Sequence, residues 1–296
     1  MIRNSEERAM AGRDLEAFKQ RIQRELMGHP VVTSNTYTAW FATGEASLNH
    51  LRQFTVQFSV FSNQFLLAAL NRVINAETLQ SARESKELLL NELGVIYHKG
   101  GDGTPRAAVP ATPVSAQGSP DTDRAGDPAL VSTEGTVDGG TFRFQAAHFE
   151  WLLQFGASLG LTFDDLGKRR HGTPATLHFC DELFRLYGSA DYNEAMGAAF
   201  AVENWAAAGF WKQLIAGLEK IKRTRVPQLP LAFFTWHDRI EDLHKSHVWD
   251  ELTLCFESPK FREEPFIQAG VTMLDGVGSF WNGLNDMRQP ADRHAA

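Results

Sequence analysis

Three side chains in one short segment have the types and spacing for shared chemistry. In Phe233-Phe234-Thr235-Trp236-His237-Asp238-Arg239-Ile240-Glu241-Asp242-Leu243-His244, two histidines and a glutamate stand at i, i+4 and i+7: His237, Glu241 and His244. A helix turns about 100° per residue, so the three fall within roughly 60° of arc and point into one volume. Two imidazoles and a carboxylate aimed at one volume suit a divalent transition metal, iron above all. The same spacing also serves a polar stripe facing solvent, so a metal site needs donors from elsewhere in the chain. Asp238 and Asp242 are turned well off the shared face.

Further donors exist. Glu203 lies in Gly197-Ala198-Ala199-Phe200-Ala201-Val202-Glu203-Asn204-Trp205-Ala206-Ala207-Ala208. A carboxylate among small and apolar groups is costly to bury unless it is paired or metal-bound. Alternatively it is an exposed Glu on an Ala-rich surface helix. Glu92 closes Leu88-Leu89-Leu90-Asn91-Glu92-Leu93-Gly94, and His148 opens His148-Phe149-Glu150-Trp151-Leu152. Neither is specific alone. Glu150 is a second carboxylate beside His148, and His247 is either an outer hydrogen-bond donor or an exposed side chain. Trp205, Trp211, Phe234 and Trp236 read as core packing rather than a substrate stack. Nitrogen and oxygen donors suit iron or manganese.

The elements that must position these donors read as helices. Helical spacing predicts segments over Asp14–Met27, Ser47–Ile74 with Ser47 as N-cap, Ala76–Tyr97, and about Thr141–Leu159. Others cover Pro174–Tyr187, Asp191–Ala207 running on through Gly209 toward Ile221, Leu231–Leu252 and Glu263–Met287. Leu88, Leu89, Leu90 and Leu93 are expected as a buried stripe. No alternating strand pattern of useful length is visible. From Lys99 to Gly140 the chain is rich in Gly, Pro, Ala, Thr, Ser and Asp, too poor in apolar groups to offset its ordering entropy. It reads as a mobile insertion. Seven or more helices without a sheet predict an all-α bundle around one core. An N-terminal helical extension over 1–44 is expected to pack on a main domain over 45–296.

Composition narrows the function. The chain has 296 residues and a net charge of -7, which argues against a nucleic-acid partner. No run of about 20 apolar residues predicts a membrane span. The polar N-terminus lacks a signal core, and Cys180 and Cys255 form no CxxC, so a cytoplasmic location is expected. There is no P-loop, GxGxxG, GxSxG or HExxH motif. A haem ligand at His29, one His before a Pro, has weak support.

Taken together, the donors resemble the haem-oxygenase-like diiron oxidases and oxygenases, iron-containing redox enzymes. In that family a Glu ends one helix and a His opens the next, a Glu follows within a later helix, and His-x3-Asp-x2-His stands on another. Here the order is Glu92, His148, Glu203, then His237, Glu241 and His244, and the resemblance covers roughly residues 45 to 285. Glu241 replaces the usual Asp, and over fifty residues separate Glu92 from His148, where the family has a short loop. The resemblance implies a haem-oxygenase-like bundle with two Fe per chain, Mn being allowed at one site, and those six residues as ligands. It also implies activation of O2 to oxidise a small metabolite, most readily an amino acid or its derivative, in a biosynthetic pathway. The outcome would be N-oxygenation or oxidative C–C cleavage or desaturation. Arg239 and Lys212 lie on suitable helices to hold a substrate carboxylate, and the fold often forms homodimers. Two other readings stay open: a metal-free cofactor-biosynthesis enzyme of the thiaminase-II or pyrroloquinoline-quinone-synthase type, and a non-enzymatic helical binding protein.

Overall fold

Helix ends follow their local chemistry. Ser47 Oγ accepts from the His50 backbone N–H at 3.2 Å, and His50 Nδ1 accepts from the Ser47 N–H at 3.2 Å. Two otherwise orphaned donors are thus satisfied at the start of the longest helix. Asp14, Asn35, Thr78, Thr173 and Asp191 cap other helices through side-chain oxygens. Gly209, at φ 92°, breaks what reads in the sequence as one continuous helix toward Ile221. Only glycine takes that left-handed conformation without penalty.

The computed structural model describes residues 14–97, 132–137, 140–145 and 148–288. Backbone alone is described at 96–97, through 132–137 and 140–145, and at 240–248, 250, 251 and 254. The helices are α1 (Leu15–Ile22, continued as a π turn over Gln23–Met27), α2 (Pro30–Thr33), α3 (Thr36–Phe41), α4 (Leu48–Ile74) and α5 (Leu79–Glu92). After the intervening segment come α6 (His148–Ser158), α7 (Pro174–Glu182, with a π turn over Leu183–Tyr187) and α8 (Tyr192–Ala206). Then follow α9 (Phe210–Thr224), α10 (Ala232–Phe256) and α11 (Glu263–Arg288). The all-α bundle is as the sequence predicts. No described helix is long and apolar enough to cross a membrane.

The centre of the bundle is aromatic. Phe54, Phe58, Phe155, Phe234 and Phe280 are almost fully buried, and α11 lies along α8 and α7. Phe18, Ile22 and Leu26 of the N-terminal helix belong to the same core. Helix α8 approaches α11 closely because Gly197 carries no side chain: a Cβ there would run into the backbone carbonyl of Phe266. Gly270, on the facing helix, lies against the Gly197 carbonyl and Leu26.

Three local expectations change. First, the described residues include a small antiparallel sheet, ordered β1–β3–β2, of Val95–Tyr97 (β1), Ser132–Val137 (β2) and Gly140–Gln145 (β3). The segment from Thr141 is therefore a strand, and its helix starts at His148. The residues that decide it are Thr133, Thr136, Thr141, Phe142 and Phe144, β-branched or aromatic types that favour a pleated surface. The Asp138-Gly139 pair between the two runs is a hairpin signal in the sequence. Second, α5 stops at Glu92 and the chain extends through Tyr97. Third, the leucines at its end are not a buried stripe. Leu90 and Leu93 are 42% and 46% exposed, Leu88 and Leu89 are half-buried, and only Ser85 of this helix is buried.

Two outcomes follow. Gly197→Ala should cost about 1–3 kcal/mol or more, because a backbone carbonyl cannot swing aside; a thermal melt equal to that of the wild type would refute the close crossing. At His50, burial and then the Arg288 charge hold the imidazole below its ordinary pKa of 6.5. Folding therefore favours the neutral ring. Its stabilisation is complete above pH 6.5 and fades as pH falls through the lower folded-state value. Between about pH 7.5 and about pH 5.5 the wild type should lose more Tm than His50→Gln, which keeps an acceptor at the same helical position but does not titrate.

Candidate functional site

The long segment between Glu92 and His148 is closed at its neck. Val95, Ile96 and Tyr97 of β1 pair with Phe144, Arg143 and Phe142 of β3. Glu92 lies three residues before the first of these pairs and His148 four residues beyond it, so the strand register returns the two side chains to each other. His148 Nδ1 is 2.8 Å from Glu92 Oε2. The imidazole is 5% exposed and the carboxylate 18%. At this distance a proton on Nδ1 makes a charge-assisted bond to the carboxylate.

His237 joins them from α10. Its ring centroid is 4.7 Å from that of His148. Its Nδ1 is 2.6 Å from the Phe233 carbonyl oxygen, one helical turn back. A carbonyl only accepts, so Nδ1 carries the proton in this contact, and in a neutral ring the lone pair is then on Nε2. That is the tautomer a metal-ligating histidine takes when a backbone carbonyl orients it. Trp211 of α9 stacks on the His237 ring at 4.7 Å, and Phe233 packs on it at 4.3 Å. Trp236 lies 4.3 Å from His148, and Trp151 stacks on His148 at 5.6 Å. The two imidazoles are thus set in an aromatic collar that restricts water and fixes ring orientation.

Of the six expected donors, His148 of α6 touches two others, Glu92 at the end of α5 and the ring of His237 on α10. Glu203 is half-buried on α8, on the stretch that meets α10: Phe200 packs against Trp249 at 4.9 Å, and Asn204 Oδ1 accepts from Trp249 Nε1 at 3.0 Å. The backbone of Glu241 and His244 continues α10, but their side chains, like those of Asp242 and His247, lie outside the described residues. Among the described residues, no three His, Cys, Asp or Glu side chains form a group able to hold a metal ion. Glu150, Lys212 and Arg239 are exposed. His29 caps α2 and reaches Asp275 at 3.2 Å. The sequence reading did not foresee that the Phe233 carbonyl would orient His237; its position four residues upstream in a helix was the available signal. Trp211 and Trp236 were expected as core packing; they pack directly on the imidazoles.

No protein-family model matches the sequence, and no curated protein matches it. Solved structures do. A TenA homolog from Pseudomonas syringae pv. tomato superposes with a TM-score of 0.58 at 12% identity, over 91% of this chain and 93% of that one. A domain of unknown function with a heme oxygenase-like fold from Shewanella denitrificans superposes with a TM-score of 0.52 at 14% identity, over 97% and 100%. The architecture is thus the TenA and haem-oxygenase-like one.

Removing the Glu92 carboxylate leaves the buried His148 Nδ1 without its partner. Glu92→Ala should cost about 1–3 kcal/mol in denaturant unfolding, and Glu92→Gln less, since an amide oxygen still accepts. Unchanged stability in the alanine variant would show that the contact contributes nothing.

Proposed function

We propose that this chain is a non-haem diiron, O2-activating oxidase or oxygenase that acts on a small metabolite, an amino acid or its derivative. The observation that carries the reading is the pair of contacts His148 makes with expected donors from two other helices: its Nδ1 is 2.8 Å from Glu92 Oε2, and its ring is 4.7 Å from that of His237. The donors fit iron chemically. A carboxylate oxygen and neutral imidazoles are ligands of the required type, and the Phe233 carbonyl sets the tautomer of His237 that leaves a nitrogen for a metal. Glu203, Glu241 and His244 are the remaining proposed ligands, and the charges of three carboxylates offset two divalent cations. Iron, bound as Fe(II) at both positions or with Mn at one, would supply the O2 chemistry. The chain's own part is to hold the ligands, orient His237 and exclude water with Trp151, Trp211 and Trp236. N-oxygenation and oxidative C–C cleavage or desaturation are the reaction outcomes proposed. We place the enzyme in the cytoplasm, with O2 and a small substrate as its partners and a homodimer as its assembly.

The likeness to a TenA homolog favours a second reading, a metal-free enzyme of the thiaminase-II type on the same helices. Iron uptake separates the two. Anaerobic Fe(II) titration should give about two irons per chain in the wild type. Uptake should fall in His237→Ala and Glu203→Ala, and O2 should then elicit a transient visible band in the wild type alone. A wild type that binds no stoichiometric iron sinks the diiron reading and leaves the metal-free one.

A further inference from the structure

A cavity of about 60 Å3 lies where α2 and α3 meet the turn between α8 and α9. One water needs about 10–15 Å3 of such space, so the cavity admits a group of about four non-hydrogen atoms. Asn35 lines it from the start of α3, and Trp205, Ala208, Phe210 and Gln213 line it from α8 and α9. It is separate from the His148–His237 site. The Phe210 ring lies parallel to that of Trp205 at 4.6 Å, and Trp211 stands between Phe210 and His237, at 4.5 Å and 4.7 Å.

The walls are rich in donors. Asn35 Nδ2 and Trp205 Nε1 are buried and find no acceptor among the described residues, and Trp205 is 3% exposed. Asn35 uses its side-chain oxygen to cap α3, accepting from the Thr38 N–H at 3.1 Å. That N–H only donates, so it fixes which end of the Asn35 amide is oxygen and leaves the NH2 end unpaired. Gln213 likewise gives its oxygen to the Thr38 hydroxyl. The start of α9 adds free backbone N–H groups. Its N-cap is Gly209, no side chain caps it, and Ala208 and Phe210 on either side of Gly209 line the cavity. A helix start carries partial positive charge and holds anions through those groups.

A buried N–H without an acceptor is costly, and each such group asks for a partner. Trp249 has one in Asn204. Trp151 and Trp281 also lack an acceptor, but neither lines this cavity. What sets the cavity apart is the meeting of two such donors with an uncapped helix start around a space of ligand size. None of the described residues that line it carries a charge, so no carboxylate repels an anion and no cation already neutralises one.

We infer that this cavity binds the carboxylate of a small monocarboxylic acid, with Trp205 Nε1, Asn35 Nδ2 and the first turn of α9 as its donors. A carboxylate brings two oxygens to the two unpaired side-chain donors, and its charge is stabilised by the helix start. A neutral amide of the same size brings one oxygen and no charge. Val31, Val32 and the Phe210 ring offer apolar surface to the acid's carbon. The site is a second one and does not depend on iron.

The test follows the tryptophan Nε1–H resonances of the full chain by NMR, at constant ionic strength, as sodium acetate or acetamide is added. Trp205→Phe, which keeps a ring against Phe210, identifies the Trp205 signal. That signal should shift saturably with acetate, in the millimolar range that so few ligand atoms allow, and stay in place with acetamide. Asn35→Asp keeps the oxygen that caps α3 but sets a negative charge at the wall. It should weaken acetate binding at least tenfold while leaving Tm close to that of the wild type. A Trp205 signal that does not respond to acetate means that water alone fills the cavity, and overturns the inference. So does an equal response to acetamide, or undiminished acetate binding in a folded Asn35→Asp variant. The readout is at Trp205, away from His148 and His237, so failure here is distinct from failure of the iron titration.

Discussion

The pairing of Val95–Tyr97 with Phe142–Phe144 is the constraint on which the site depends. Between its two strands the chain makes a long excursion, from 98 to 139, of which only 132–137 is described, as β2. A chain entropy term opposes return from such an excursion, but it grows only as the logarithm of length, and each doubling costs about 0.6 kcal/mol. A short antiparallel neck can meet that term. Once it is formed, the helix before and the helix after stand in fixed relation, and a glutamate and a histidine 56 positions apart come within hydrogen-bond reach.

The aromatic interior does the complementary work on His237. Phe233 and Trp211 hold the ring by its faces, and a backbone carbonyl holds one of its nitrogens. Orientation of this imidazole therefore comes from packing and from helix geometry together. The close crossing of α8 and α11 through Gly197 then sets the distance between the helix that carries Glu203 and the rest of the bundle.

The helical architecture was legible because the periodic apolar runs are long: Ser47 and the phenylalanines after it define α4 almost to the residue. The order of donors along the chain was legible too, since residue type and spacing are properties of sequence. The sheet was not, because its strands are short and two of them border a stretch poor in apolar groups, where composition argued against order. The end of α5 was misread for a related reason. Leu88, Leu89, Leu90 and Leu93 cluster so densely that they match a buried face, yet few neighbours cover them. Whether an apolar run is buried depends on what packs above it, and that information lies elsewhere in the chain. Likewise the approach of His148 to His237 is a tertiary fact that no local window contains.

That uncovered helix has a consequence for Glu92. Helix α5 buries only Ser85 and shows solvent much of its apolar surface, so little free energy fastens it to α4. Segments held by few buried contacts open locally at a fraction of the global unfolding free energy. Glu92 thus sits at the end of an element whose amides should exchange with solvent well before those of α4 or α11. The carboxylate is moored from its far side, by His148 and the strand that follows it, like the free end of a gangway tied to the quay.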